Sequence, residues 1–428
     1  MNYLSLALTG FLLLCAMAVP AADKTTVILG GSLVNLDGGP ALENSAVVIR
    51  DGIIEAAGPA NTVPMPDQAR VIDASGTWLI PGLMNMHVHL GLVLPGKMAV
   101  ELADESEAEL ALRMAAAARE TLQAGVTTIR LPGEQRHGDL SLRKAIARGH
   151  VPGPRIYSAG EALRITGGHG SEPDVTYHDG PYELIKAARR EISAGADWIK
   201  IMISGGIATD GGDIAQALMT PEEIRAVVDA AHRLGARVTA HSGSPAATVI
   251  AVDAGIDGIE HGYFLDRPTL RQMKKAGTWL VPTIVVSQPA TADFYQRIGS
   301  PPWYLTRLQS VGKAHWRALE LAIEEGVSIA LGTDQLPAEP NDGTTATARE
   351  AQYYVEAGMS PTQALRAATI EPARMLGADD VLGSLTVGKH ADLVALGADP
   401  IEDIKALRDI RLVIKGGAVY RNELEDTP

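Results

Sequence analysis

Eight short apolar runs, separated mostly by helix-period segments, constrain this chain more than any other feature. The runs are Leu83–Val88, Thr127–Leu131, Arg155–Ala159, Trp198–Ile203, Arg237–Ala240, Gly258–Glu260, Trp279–Val286 and Ser328–Leu331. Segments such as Ser106–Leu122, Tyr182–Ile192, Pro221–Leu234, Pro245–Ala254, Pro268–Ala276, Tyr304–Glu325 and Ala346–Ala357 carry apolar residues at helical spacing. Ala-Gly pairs starting at 124, 194, 254, 276 and 357 supply helix stops. Parallel strands need a crossover connection, and a helix is the compact way to make one. Eight such units predict a (β/α)8 TIM barrel. A doubly wound sheet is the alternative. It normally carries a glycine-rich phosphate loop after its first strand, and none is present there. Arg164–Asp179 and Gln288–Trp303 read as long loops and lid candidates.

The two ends of the chain have a different texture. Thr25–Leu29, Ser32–Leu36, Ala46–Ile49 and Ile53–Ala56 are strand-like, with Gly30-Gly31, Asp37-Gly38-Gly39 and Asp51-Gly52 between them as turns. Asp392–Leu396 and Arg411–Ile414 repeat the pattern, with turns at Gly388-Lys389 and Gly416-Gly417. One small β domain built from both ends is the simplest arrangement. A chain of 428 residues favours such a large-plus-small division over a single core. The expected boundaries are 23–80 and 379–428 for the β domain and 81–378 for the barrel.

Residues 1–22 read as a signal peptide. Leu4–Val19 is apolar and uncharged, and Pro20-Ala21-Ala22 supplies small residues for cleavage. The run is short for a membrane span. The expectation is a secreted or periplasmic protein with no stable membrane insertion once the peptide is removed. The single cysteine, Cys15, would leave with it, so no disulfide is available. The 37 basic and 51 acidic residues give a net charge of −14. Nucleic-acid binding needs a basic footprint and is therefore not expected.

Several strand ends carry residues suited to metal chemistry. His87 and His89 are two apart, so on a strand both imidazoles point to one face. Lys200 sits inside an apolar strand, as an ion-paired or snorkelling lysine or as an amine converted to an anionic carbamate. His241, His261 and Asp334 end three later strands. Taken singly, each is at least as compatible with an ordinary structural role. Their repetition at one end of successive strands, where barrel active sites lie, points to a metal centre.

These positions resemble the amidohydrolase superfamily over nearly all of the chain after residue 22. The matching residues are Pro81-Gly82-Leu83 leading into His87-x-His89, then Lys200, His241, Glu260-His261-Gly262, Gly332-Thr333-Asp334 and the stretch Gly383–Leu393. The resemblance implies a distorted barrel with a small β-sandwich domain. It implies one divalent ion, zinc by donor type, held by His87, His89, Asp334 and a Lys200 carbamate. A second would be held by the carbamate, His241 and His261. A hydroxide shared between them would attack an amide carbonyl, with Asp334 as general base and then general acid.

Within the superfamily the sequence is similar to the two-metal prolidase and carboxypeptidase-like group, which includes ochratoxin-degrading amidases. The shared features are Trp198-Ile199-Lys200-Ile201, Thr166-Gly167-Gly168-His169-Gly170 and His261-Gly262-Tyr263. Imidazolonepropionase is a more distant resemblance. The implied substrate is a small molecule or dipeptide with a free carboxylate: an N-acyl amino acid, an Xaa-Pro peptide or an ochratoxin-like compound. His169 is expected to polarise the scissile carbonyl or bind substrate, with Tyr263 and Arg164 as candidates for the carboxylate. A homo-oligomer, octamers included, is the expected assembly. A deaminase or cyclic-amide hydrolase on the same barrel is the competing activity. Many deaminases place a Glu three residues after the fifth-strand histidine, where this chain has Ser244. A non-catalytic interaction protein is the third reading, and such relatives tend to lose metal ligands.

Overall fold

The computed structural model describes residues 25–170, 175–334, 340–341 and 344–424. The signal peptide expected at 1–22, with Cys15, lies outside the described residues. The fold is mixed α/β. Leu83–Asn85, Val126–Leu131 and Arg155–Ser158 form a three-stranded parallel sheet. Trp198–Met202, Arg237–Ser242, Gly258–His261 and Trp279–Val281 form a four-stranded parallel one. Val126–Leu131 and Gly258–His261 are buried along their whole length, as strands covered on both faces must be.

The two sheets meet through single bridges rather than ladders. Leu163 pairs with Ile201, and Leu280 pairs with Ile329. The Met86 amide donates to the Leu331 carbonyl at 2.7 Å. A closed eight-stranded ladder is therefore not formed among the described residues. The strand expected at Ser328–Leu331 reduces to the Ile329 bridge, because the Leu331 amide turns away to the Ala367 carbonyl. Trp279–Val286 also shortens. Pro282 has no N–H to donate, Thr283 adopts φ 52°, and a 3-10 turn follows over Ile284–Ser287. The stretch Gln288–Trp303 is not a loop. It contains the helix Pro289–Arg297 and the start of the helix Pro302–Glu325, whose prolines occupy the first turn, where no N–H is needed.

The helix boundaries follow local chemistry. Ser106 and Glu109, Thr220 and Glu223, and Ser360 and Gln363 form reciprocal capping boxes. Gly195 and Gly277 take left-handed conformations that end helices after Ala194 and Ala276.

Both ends of the chain share one sheet. Its order is Ala418–Asn422, Ile410–Lys415, Leu393–Leu396, Trp78–Pro81 and Ser32–Leu33. A second, four-stranded sheet joins Ile53–Pro59, Ser45–Arg50, Thr25–Leu29 and Arg70–Asp73. Strand alternation splits Leu393–Leu396 between two cores. Leu393 and Ala395 join Ile28, Val47, Ile49 and Leu412, while Val394 and Leu396 pack with Val126 and Ile410 beside the parallel sheets. This strand fixes the small β layers against the layers that carry the site.

Candidate metal centre and active site

The C-terminal ends of the parallel strands open into a cavity of about 450 Å³. His87, His89, Arg164, His169, Lys200, His241, His261, Tyr263 and Asp334 all line it. Ligand atoms of His87, His261 and Asp334 lie within 4.8 Å of one another. His87 and His89 are not on a strand, which ends at Asn85. They occupy an irregular extension tied across the site. The amides of Thr333 and Asp334 donate to the His87 carbonyl at 2.9 and 2.7 Å, so the first and last segments of the site are held to each other.

Hydrogen bonding decides which nitrogen of each imidazole faces the cavity. His87 Nδ1 lies 2.7 Å from Glu260 Oε2 and His89 Nδ1 lies 2.8 Å from the Gly133 carbonyl. His241 Nε2 lies 2.9 Å from the Gly205 carbonyl. A carbonyl or ionised carboxylate only accepts, so the facing nitrogen carries the proton. The lone pairs then sit on Nε2 of His87 and His89 and on Nδ1 of His241. His87 Nε2 and His89 Nε2 are 3.3 Å apart, and each lies 3.0–3.1 Å from Asp334 Oδ1. Three acceptors converging at this range repel one another unless a cation or a proton lies among them. The donor set of imidazole nitrogen and carboxylate oxygen suits zinc-type ions.

Protons on the cavity-facing nitrogens of His87 and His89 can meet the same charge balance. Burial opposes ionisation of Asp334, but His87 and His89 outweigh it and hold the carboxyl well below its usual range. Burial lowers His89, and its contact with Asp334 raises it beyond that loss. Burial drives His261 well down and His241 to about 3. Lys200 is 2% exposed, and burial lowers its amine to about 8. Its amine makes no hydrogen bond or ion pair among the described residues, and the residue lines the cavity.

Residues the sequence reading left without a role support this set. Glu260 is fully buried and orients His87. It is itself held by the Arg130 guanidinium and the Thr239 hydroxyl. Arg130 also donates to the Met86 carbonyl at 2.7 Å and lies 4.7 Å over the Trp198 ring. Burial disfavours the Glu260 anion, yet Arg130, His87 and Lys200 keep the carboxyl below its ordinary value. Thr283 meets His261 Nδ1 at 2.8 Å. His261, Thr283 and Asp334 all have positive φ, at 65°, 52° and 53°. Such strain in non-glycine residues collects at functional sites.

His169 is placed beside the metal-type donors. Its ring stacks on His241 at 4.2 Å, and Nδ1 lies 2.6 Å from the Thr209 hydroxyl. A Cβ on Gly206 would come within 2.3 Å of this ring, so the loop backbone packs directly against it. Tyr263 stacks on His261 and meets His315 edge-on. Arg164 packs its guanidinium against Gly170. The rest of the wall divides in character. Leu92, Leu94, Ile207, Tyr295, Trp303 and Tyr304 line the apolar part, and Arg136, Glu161, His178 and Arg190 the charged part.

Comparison with known proteins agrees with this arrangement. Residues 78–419 match the amidohydrolase family. The ochratoxinase of Aspergillus niger is 33% identical over 93% of this chain and 87% of its own length. A crystal structure of a Xaa-Pro dipeptidase with methionine in its active site superposes with TM-score 0.83 at 33% identity, covering 93% of this chain and 100% of that one. A prolidase in complex with N-methylphosphonate-L-proline gives TM-score 0.84 at 31% identity, covering 93% and 100%. The chain belongs to the amidohydrolase family and is a hydrolase of carbon–nitrogen amide bonds.

Proposed function

We propose that the protein is a secreted two-metal amidase or carboxypeptidase that hydrolyses an amide next to a C-terminal free carboxylate. Candidate substrates are dipeptides, Xaa-Pro peptides, N-acyl amino acids and ochratoxin-like compounds. The convergence of the His87, His89 and Asp334 lone pairs on one point carries this reading. We read the two parallel sheets as halves of a distorted (β/α)8 barrel, with residues 23–80 and 379–428 as its β-sandwich partner.

His87, His89, Asp334 and a carbamate on Lys200 would hold one divalent ion. The carbamate, His241 and His261 would hold the other. Such a pair supplies Lewis acidity, which acidifies water and stabilises an oxyanion. The lowered Lys200 amine suits carbamate formation, because only the neutral amine reacts with carbon dioxide. Asp334 stays ionised, accepts the proton of the attacking water and returns it to the leaving nitrogen. Thr209 Oγ1 accepts from the Gly170 amide at 3.2 Å and lies 2.6 Å from His169 Nδ1, and we assign its hydroxyl proton to that nitrogen. That leaves the His169 proton on Nε2. Burial keeps the ring neutral, well below its ordinary value, and Nε2–H can donate to the substrate carbonyl. Arg164 supplies positive charge for the carboxylate within an otherwise acidic protein.

Ser244 argues against deamination. Its hydroxyl accepts from the Ala247 amide at 3.2 Å and caps the helix Pro245–Asp253, so no acid stands there. The test is a screen of dipeptides and N-acyl amino acids with zinc and bicarbonate supplied, alongside metal analysis of pure protein. About two ions per chain and release of a free amino acid are expected. One tightly bound ion with full activity in Lys200→Ala would overturn the two-metal reading. Ammonia release from a heterocycle without amide cleavage would overturn the substrate class.

A further inference from the structure

The loop after Trp198–Met202 is unusual in how it is held. Its base is closed on itself: Ser204 pairs with Ala217, and the Gly205 amide donates to the Gln216 carbonyl at 3.1 Å. Its tip, Gly206–Asp213, is glycine-rich and carries no strand or helix. One side chain from another element gathers this tip. Arg307, on the helix Pro302–Glu325, donates to three of its backbone carbonyls: Gly206 at 2.7 Å, Gly212 at 3.0 Å and Ile207 at 3.3 Å. Burial works against the guanidinium charge, lowering its pKa from the ordinary value, and the nearby Asp210 and Asp213 offset part of that.

The same loop touches the site at three points, one from its base and two from its tip. The Gly205 carbonyl sets His241 Nε2, the Thr209 hydroxyl sets His169 Nδ1, and Gly206 packs under the His169 ring. Arg307 itself is not among the residues lining the cavity. One turn earlier on its helix, Trp303 and Tyr304 do line it, and Leu308 follows directly. The helix therefore presents apolar wall to the cavity and a carbonyl clamp to the loop within a single turn.

We propose that Arg307 is a positioning residue. It clamps the Gly206–Gly212 backbone so that Thr209 and Gly206 hold His169 in register with the reacting carbonyl, and it links this loop to the Trp303–Tyr304 wall of the substrate cavity. The kinetic part of this inference rests on the role given to His169 above. The clamp itself does not.

Each guanidinium–carbonyl bond is charge-assisted, and three in a fixed fork have no equivalent in a lysine ammonium. A small shift of a polarising group lowers the chemical step far more than substrate binding. In Arg307→Ala, amide exchange over 205–217 should accelerate, while exchange in the Arg237–Ser242 strand stays as in the wild type. The kcat should fall roughly ten- to a hundredfold with KM little changed. Arg307→Lys should recover only part of the loss, and added guanidinium should restore some activity to the alanine variant. In a His169→Gln background, Arg307→Ala should have no further effect on kcat, since both act through one group.

Unchanged exchange over 205–217 would overturn the clamp. Accelerated exchange with additive kinetic effects would overturn the route through His169. If the wild type cleaves no amide, the exchange measurement still decides the clamp, so failure of the proposed activity and failure of this inference are separable.

Discussion

Glu260 Oε2 lies 2.7 Å from His87 Nδ1, and the other oxygen of the same carboxylate is held by Arg130. One buried anion thereby fixes the tautomer of His87 and neutralises a guanidinium that is itself fully buried. Partners of this kind commonly tune metal affinity as strongly as they tune geometry.

Glu260→Gln separates the two duties. The amide cannot balance Arg130, whose buried charge is then uncompensated. A stability loss of about 3–5 kcal/mol is expected by chemical denaturation. The glutamine can present its NH2 to His87 and impose the wrong tautomer, lowering metal affinity by about 10- to 100-fold in a chelator competition. Wild-type affinity with reduced stability would show that His87 takes its orientation from elsewhere.

Gly206→Ala tests the contact beneath His169. The added Cβ would sit 2.3 Å from the imidazole, a distance that forces the ring or the loop to move. Gly206 is not among the positive-φ residues, so alanine is tolerated by the backbone. Stability should fall by only about 1–3 kcal/mol, while kcat falls about a hundredfold and metal content is retained. Unchanged turnover would mean that His169 does not touch the reacting group.

Much of this architecture is legible in the sequence, and for a physical reason. Buried parallel strands are nearly all apolar, so a His, Lys or Asp at their ends stands out against Val, Ile and Leu. Arg130 and Glu260 carry the same signal, being charged residues inside Val126–Leu131 and Gly258–His261, but the spacing does not say that they pair. Thr209 and Thr283 have no such signature, since a threonine hydroxyl is unremarkable in a loop or after a strand. The Ser328–Leu331 run is apolar enough for a strand. Its pairing is decided by competition between Leu280 and Ala367 for its backbone, which no local pattern reports. The prolines at 289, 301 and 302 suggest a loop, whereas Pro289 and Pro302 open helices.

Asp334→Asn should isolate the proton-transfer role. Asp334 sits at φ 53°, a region that asparagine tolerates better than other non-glycine residues. The variant should therefore fold, and its melting temperature should stay near that of the wild type. Loss of the base should cost about 10²- to 10⁴-fold in kcat. Full activity in this variant would remove Asp334 from the chemical step and leave it as a ligand.

Glu350 gives the site a pH-dependent support on its far side. It is fully buried on the helix Ala346–Glu356 and accepts from the amides of Ile284 and Val285 at 2.8 and 2.9 Å. These amides open the turn after Thr283, whose hydroxyl meets His261. Burial pushes the Glu350 carboxyl up from 4.5 to about 8, although both amide bonds favour the anion. Between those values the folded protein keeps a proton that the unfolded chain has released. The stabilisation linked to Glu350 is therefore complete below about pH 4.5 and is lost as the pH rises towards about 8. Glu350→Gln cannot titrate, so its unfolding free energy should lack this downward slope. Urea unfolding of both proteins across that pH range measures the difference, in which the other titrating groups cancel. The gap should shift in favour of the variant as pH rises. Parallel profiles would show that Glu350 is ionised throughout and that its two amide bonds outweigh its burial.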